Sequence, residues 1–349
     1  MYTLPSKRMF KLVIVGMLMI TAVLSLASSQ VHVRAAAQAT YTVYAGMDEP
    51  YGVVADAFGP QTIKVHRGDT ITWQFLSFHN VHFDSKPADL VVTSQIDGKT
   101  VTELNSASIF GTMKNGDVYK AGGSTGVPVA GPPSAPGAPA PTFSVVMDIA
   151  PGTYTYVCDI HSGMIGTIIV VDDNTQIPSP TEVEKAGKAE LQAALTASDK
   201  AFLDLTKKYP PFAQGDTLQA SAGGQATTAA LLHFFPETAL IMPGQSITWT
   251  VPHGLEPHTI NVPFPAAGLP KFAPMMDAKK QPHFILGEEF VPNVKSGDAV
   301  PADGVAKSGL LLPGQSFTLK FPKVGVYSYY CAIHTGMAGL IIVQAPPPQ

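Results

Sequence analysis

Basic charge is in short supply: 22 Lys and Arg against 26 Asp and Glu leave a formal net charge of −4 over 349 residues. A chain without a cationic excess argues against nucleic acid as a partner. Charge of either sign is scarce, at 14%, against about 25% in ordinary soluble domains. Helical periodicity is nearly absent, and short runs of Val, Ile, Tyr, Phe and Thr bounded by Gly, Pro and Asp take its place. With 31 Gly and 31 Pro, this is the pattern of an all-β sandwich. Cysteine is as rare as tryptophan, with two of each: Cys158 and Cys331 stand alone in a chain long enough for two domains plus connections. A disulfide between them would fit an oxidising compartment. They occupy matching positions in two copies of one motif, however, so each serves its own domain.

That motif reads Tyr154-Thr155-Tyr156-Val157-Cys158-Asp159-Ile160-His161-Ser162-Gly163-Met164 and returns as Tyr327-Ser328-Tyr329-Tyr330-Cys331-Ala332-Ile333-His334-Thr335-Gly336-Met337. Strand alternation turns Tyr154, Tyr156 and Cys158 to one face, and Tyr327, Tyr329 and Cys331 likewise. The turn that follows brings His161 and Met164, or His334 and Met337, back toward the same point, with Gly163 and Gly336 relieving the backbone before each Met. A thiolate, an imidazole and a thioether in one turn form a soft donor set. Completed by a distant second His, they specify a blue copper electron-transfer site, in which a long axial Met caps a trigonal His, His, Cys plane. Zinc suits the set less well, because structural zinc sites prefer several thiolates.

The second His lies upstream. His66-Arg67-Gly68-Asp69-Thr70-Ile71-Thr72-Trp73 corresponds to Met242-Pro243-Gly244-Gln245-Ser246-Ile247-Thr248-Trp249, each a tight turn feeding an alternating strand. A His follows shortly after each Trp. In the second repeat His258 of Glu256-Pro257-His258-Thr259-Ile260 is the candidate, with His253 a loop residue. In the first, His79 and His82 compete within Phe78-His79-Asn80-Val81-His82-Phe83. Counted from the tryptophans, His82 matches the spacing of Trp249 to His258, but such a count ignores differences in loop length.

The repeats place domain one at about 39–173 and domain two at 217–344, with a linker over 174–216. Within the linker, a Pro-led start, a Thr-x-x-Glu capping box and helix formers continuing to Pro210-Pro211 predict one helix over about 181–208. Its Leu191, Leu195, Phe202 and Leu205 make a narrow stripe for packing on one or both sandwiches. Residues 122–141, rich in Gly, Pro, Ala and Ser, read as a mobile surface insertion; residues 265–306 form a longer, more varied one. Over residues 1–37, Lys7, Arg8 and Lys11, the apolar Leu12 to Ala27 and the small Ala35-Ala36-Ala37 read as an export signal. The apolar run falls a little short of the ~20 residues of a spanning helix; left uncleaved, it would serve as a membrane anchor. The folded part is therefore expected outside the cytoplasm, in the periplasm or the extracellular space. Loss of the segment removes Lys7, Arg8, Lys11 and Arg34 and no acid, taking the net charge from −4 to about −8, which leaves docking on a basic redox partner open.

The Gly-Asp-Thr-Ile-Thr-Trp strand at 68–73, the His-Asn-Val-x-Phe segment at 79–83 and the Cys-x-x-His-x-x-Met turn together resemble the cupredoxins, specifically plastocyanin-like and amicyanin-like blue copper proteins. The resemblance covers nearly all of both domains. It implies an all-β chain of two Greek-key sandwiches joined by the linker helix, with two type 1 coppers. In that family the first ligand His opens a His-Asn-Val or His-Thr-Val strand, which carries over to His79-Asn80-Val81 and His258-Thr259-Ile260. The implied ligands are His79, Cys158, His161 and Met164 in one domain and His258, Cys331, His334 and Met337 in the other. The short gap between His and Met resembles the amicyanin loop. Thr259 stands where many relatives carry Asn, which bears on the hydrogen bond to the Cys sulfur and on the redox potential.

A type 1 site with all four positions filled has no open coordination position, so it carries one electron and binds no substrate. The expected function is single-electron transfer between redox proteins as donor and acceptor, with no catalytic residues. A two-domain copper oxidase or nitrite reductase would need further copper, and those families show His directly beside the Cys ligand. Here Val157 and Tyr330 precede the cysteines, and His66, His82, His233, His253 and His283 are scattered. Copper storage or delivery would favour exposed, readily exchanging Met and Cys clusters instead.

Overall fold

The computed structural model describes residues 38–49, 52–128, 139–161, 163–254, 256–265 and 275–345; the export-signal and anchor readings, on residues 1–37, lie outside them. Among the described residues the first repeat supplies β1 (Thr40–Glu49), β2 (Val53–Gly59), β3 (Thr62–His66), β4 (Thr70–Phe75), β5 (Val91–Ile96), β6 (Lys99–Leu104), β7 (Thr142–Val146), β8 (Gly152–Val157) and β9 (Ile165–Val171), with a short α1 (Ser106–Phe110). After α2 (Pro180–Lys208), the second repeat supplies β10 (Thr217–Ala226), β11 (Ala229–Phe235), β12 (Thr238–Ile241), β13 (Ser246–Thr250), β14 (Asn261–Val262), β15 (Met275–Met276), β16 (Pro282–Ile285), β17 (Ala306–Lys307), β18 (Ser316–Lys320), β19 (Gly325–Tyr330) and β20 (Ala338–Val343).

The two copies fold alike. β1 runs parallel to β4, with Val43 opposite Trp73, and β10 runs parallel to β13, with Ala220 opposite Trp249. Facing these lie the sheets β3-β9-β8 and β12-β20-β19-β14-β17. Alternation in β4 buries Ile71, Trp73 and Phe75, and in β13 Ile247 and Trp249. The ring centroid of each Trp stands 5.4 Å from that of the Tyr two residues before the copy's Cys, Tyr156 or Tyr329. Each such buried aromatic contributes about 2–3 kcal/mol of apolar burial and fixes the inner end of the strand that presents the Cys.

β2 and β11 pair antiparallel, Leu231 opposite Val53, so the two first sheets merge into one of eight strands, β18-β13-β10-β11-β2-β1-β4-β7. Helix α2 lies across this seam, packing on β1 and β2 of one copy and β10 and β11 of the other. Leu191 and Leu195 are buried there with Tyr44 and Ala55. The helix begins one residue earlier than expected, with a different cap. Pro180 occupies the first turn, where a missing N–H costs nothing, so Ser179 rather than Thr181 caps, its hydroxyl accepting from the Glu182 N–H while Glu182 accepts from the Ser179 N–H.

The insertions also depart from expectation. Residues 129–138 lie outside the described residues, but Ser124, Thr125 and Val127 of the same segment are buried. Thr125 pairs with Val81, its N–H donating to the Val81 carbonyl at 2.9 Å and its hydroxyl accepting from the Val81 N–H at 3.0 Å. In the second insertion β16 pairs with β6, Phe284 opposite Leu104, giving an inter-domain sheet β15-β16-β6-β5.

Candidate copper centres

Each repeat closes its Cys, His, Met turn with the same two backbone bonds. The Cys158 N–H donates to the Met164 carbonyl at 3.0 Å and the Met164 N–H to the His161 carbonyl at 3.1 Å; Cys331, Met337 and His334 repeat this at 3.0 and 3.1 Å. Against the turn comes the distant His. Cys158 Sγ lies 3.8 Å from His79 Nδ1 and 3.7 Å from His161 Nδ1, and the two nitrogens are 2.7 Å apart. In the second copy Cys331 Sγ lies 3.8 Å from His258 Nδ1 and 3.5 Å from His334 Nδ1, with the nitrogens 3.2 Å apart. Met164 and Met337 are buried in the clusters that contain Cys158 and Cys331 respectively. His82 sits apart, its Nδ1 2.9 Å from Asp159 Oδ1.

The donor chemistry fits a soft cation. Two imidazole nitrogens and a sulfur converge in a buried space, and lone pairs at such separations repel unless a proton or a metal lies among them. The far edge of His79 is already engaged, Nε2 lying 2.5 Å from Ser77 Oγ, which leaves Nδ1 for the metal. Both cysteines are free and buried. Burial pushes the Cys158 thiol up to about 12 and holds His79 and His161 below the ordinary imidazole range. Burial would raise Cys331 too, but the charge of His334 and hydrogen bonds from His258 and His334 pull it well below its ordinary value. His334 is correspondingly lifted to about 10, the charges of Cys331 and Glu256 overcoming its burial. A metal held by these donors would take the sulfur as thiolate and the imidazoles as neutral rings, so loading either centre would displace a proton.

Comparison with known proteins gives this geometry its context. The profile described as "copper binding proteins, plastocyanin/azurin family" matches residues 54–171 and again 221–344. The chain belongs to the plastocyanin/azurin family of copper-binding proteins. Among its relatives, the chloroplastic plastocyanin of Tetradesmus obliquus is 32% identical over 121 residues, covering 34% of this chain and 63% of the relative. The chloroplastic plastocyanin of Chlamydomonas reinhardtii is 27% identical over 115 residues, covering 32% and 59%. The chain thus spans about three fifths of the length of these two relatives. Among solved structures, amicyanin from Paracoccus versutus is 14% identical over 38% of this chain and 85% of its own, with a TM-score of 0.23. In this family member the cupredoxin fold occurs twice, and each copy carries a His, Cys, His set able to hold a metal.

The two copies show how Thr259 takes the place that Asn80 holds in the first. In the first copy Asn80 Oδ1 accepts from the Asp159 N–H at 2.8 Å; in the second the Thr259 hydroxyl accepts from the Ala332 N–H at 2.8 Å. The Thr259 N–H meanwhile donates to Cys331 Sγ at 3.4 Å. The shorter side chain ties down the residue after the Cys as the Asn does.

Sequence reasoning missed four contributors. Gly46 and Gly223 interrupt the register of β1 and β10 with φ of +73° and +87°, and a Cβ there would stand 2.1 Å from His79 Nε2 and 2.2 Å from His258 Nε2. A bulge glycine thus makes room for each distant His. Asp56 of β2 and Glu256 form with His161 a further group of potential donors. Burial and then the charge of Glu256 push the Asp56 carboxyl well up. Glu256 is held below the carboxylate range despite burial, by the charge of His161 and by His334. One signal was available: Glu256 stands two residues before His258, where the first repeat has Ser77 before His79.

Proposed function

We propose that this is an exported blue copper protein with two type 1 centres, carrying single electrons between redox proteins and performing no catalysis. The observation that carries the reading is the duplicated triangle of two Nδ1 atoms and one Sγ, closed in both copies by one backbone-bonded turn. His79, Cys158, His161 and Met164 would hold one copper and His258, Cys331, His334 and Met337 the other. Copper supplies a one-electron couple at each centre. The residues around it keep the donors fixed and dry, so the same cage serves both oxidation states. Four of the remaining histidines support a carrier, since they are engaged apart from one another: His66 with Thr175, His82 with Asp159, His233 with Glu237 and His283 with Glu103. Export is supported by the basic and apolar make-up of residues 1–37.

Copper analysis with EPR tests this. Two coppers per chain with two type 1 signals and intense colour are expected, and Cys158→Ser and Cys331→Ser should each remove about half of the thiolate-to-copper absorption. A type 2 signal accompanied by steady-state nitrite reduction would replace the carrier with an enzyme.

A further inference from the structure

One side chain joins the two centres. Glu256 Oε1 lies 3.2 Å from His161 Nε2, and Glu256 Oε2 lies 3.2 Å from His334 Nε2. Both imidazoles turn Nδ1 toward their Cys, so Nε2 is the edge left to carry a proton, and one carboxylate faces both edges. All three side chains are nearly closed to water, with exposures of 9% for His161, 8% for Glu256 and 10% for His334. The pairing of β2 with β11 sets the domains edge to edge and brings His161 and His334 within reach of a single residue. The arrangement belongs to the second repeat alone. At the equivalent place the first repeat has Ser77, whose short side chain hydrogen-bonds His79 of its own domain.

Resting on the copper reading above, we propose that Glu256 is a positioning residue that bridges the two centres, so that they exchange electrons inside one chain instead of acting as two independent carriers. In each exchange one electron leaves the reduced centre, which is oxidised, and reaches the oxidised centre, which is reduced. No bond breaks, and the Nε2 protons stay in place. The electron enters the chain from an external one-electron donor.

The test uses the full copper-loaded chain, reduced by a substoichiometric radical pulse. In the wild type, bimolecular bleaching of the thiolate band is followed by a first-order phase independent of protein concentration; Cys331→Ser, with one centre, lacks it. Glu256→Gln keeps the size but cannot accept from both imidazoles, and slows that phase about tenfold or more, the size of effect that loss of a metal ligand's hydrogen-bond partner has on affinity or activity. It also raises both reduction potentials, since a negative charge that favours the oxidised state is removed from beside both ligands. A residue that merely supported one loop would move one potential. In the copper-free protein, NMR should show the ring Nε2–H signals of His161 and His334 shifting together in Glu256→Gln, a readout independent of copper loading. An unchanged internal phase in Glu256→Gln, a missing phase in a wild type holding two type 1 coppers, or a shift confined to one histidine overturns the bridge while leaving the copper reading intact. Fewer than two coppers per chain overturns both.

Discussion

At the scale of single residues, the two centres depend on side chains whose nearest neighbours decide their role. His79 and His82 are three positions apart, yet one points its Nδ1 at Cys158 and the other pairs with Asp159. His79→Ala should therefore erase one of two type 1 EPR signals. His82→Ala should leave both signals and cost about 1 kcal/mol in denaturant unfolding, the net worth of a typical hydrogen bond. Loss of a signal in His82→Ala alone would reverse the assignment. Gly46 and Gly223 offer a stricter test, because they touch nothing chemically. Gly46→Ala puts a methyl 2.1 Å from His79 Nε2 at φ +73°. Strain at such a position costs about 1–3 kcal/mol, and the displaced imidazole should take the first EPR signal with it while the second persists. Gly223→Ala should do the reverse.

At the scale of elements, α2 shows how close packing can outweigh propensity. Gly187 is the wrong residue for the middle of a helix, where Ala is favoured by about 1 kcal/mol. Yet a Cβ on Gly187 would meet the Gly59 carbonyl at 2.3 Å, and backbone cannot swing aside as a side chain can. Overpacking costs about 1–3 kcal/mol, so Gly187→Ala should lower the thermal midpoint despite the better helix former. A raised midpoint would show that the helix floats on the sheet. This element also marks how far the sequence could be read. The helix, the alternating strands and the Cys, His, Met turn are written in local spacing, and the repetition of the motif announced that the fold occurs twice. That His79 and not His82 faces Cys158 was legible only through family resemblance, since both fit the local pattern. The bulges of β1 and β10, the seam between β2 and β11 and the bridging position of Glu256 have no local signature. Each is set by contacts between segments far apart in sequence, and the glycines and the acid look ordinary until the partner strand is in place.

At the scale of the molecule, the two domains are held by the β2–β11 seam, by α2 and by the sheet that the second insertion forms with β5 and β6, and one clamp on that sheet titrates. His283 of the second domain sits with Nδ1 2.8 Å from Glu103 Oε2 of the first, and Nε2 3.7 Å from Asp277 Oδ2. The hydrogen bond to Glu103 is the main cause that raises His283 above its ordinary value of 6.5. A folded-state pKa above the unfolded one means that the protonated form is favoured by folding. Its contribution is complete below the unfolded value of about 6.5 and disappears as pH rises through the folded value. The wild type should thus lose stability across that window relative to His283→Gln, whose side chain does not titrate. Urea midpoints measured from acid to alkaline pH would show the two curves apart by about 1 kcal/mol on the acid side and converging above it. Curves that run parallel at all pH values would mean that His283 stays neutral and that the inter-domain sheet is held by its backbone pairing alone.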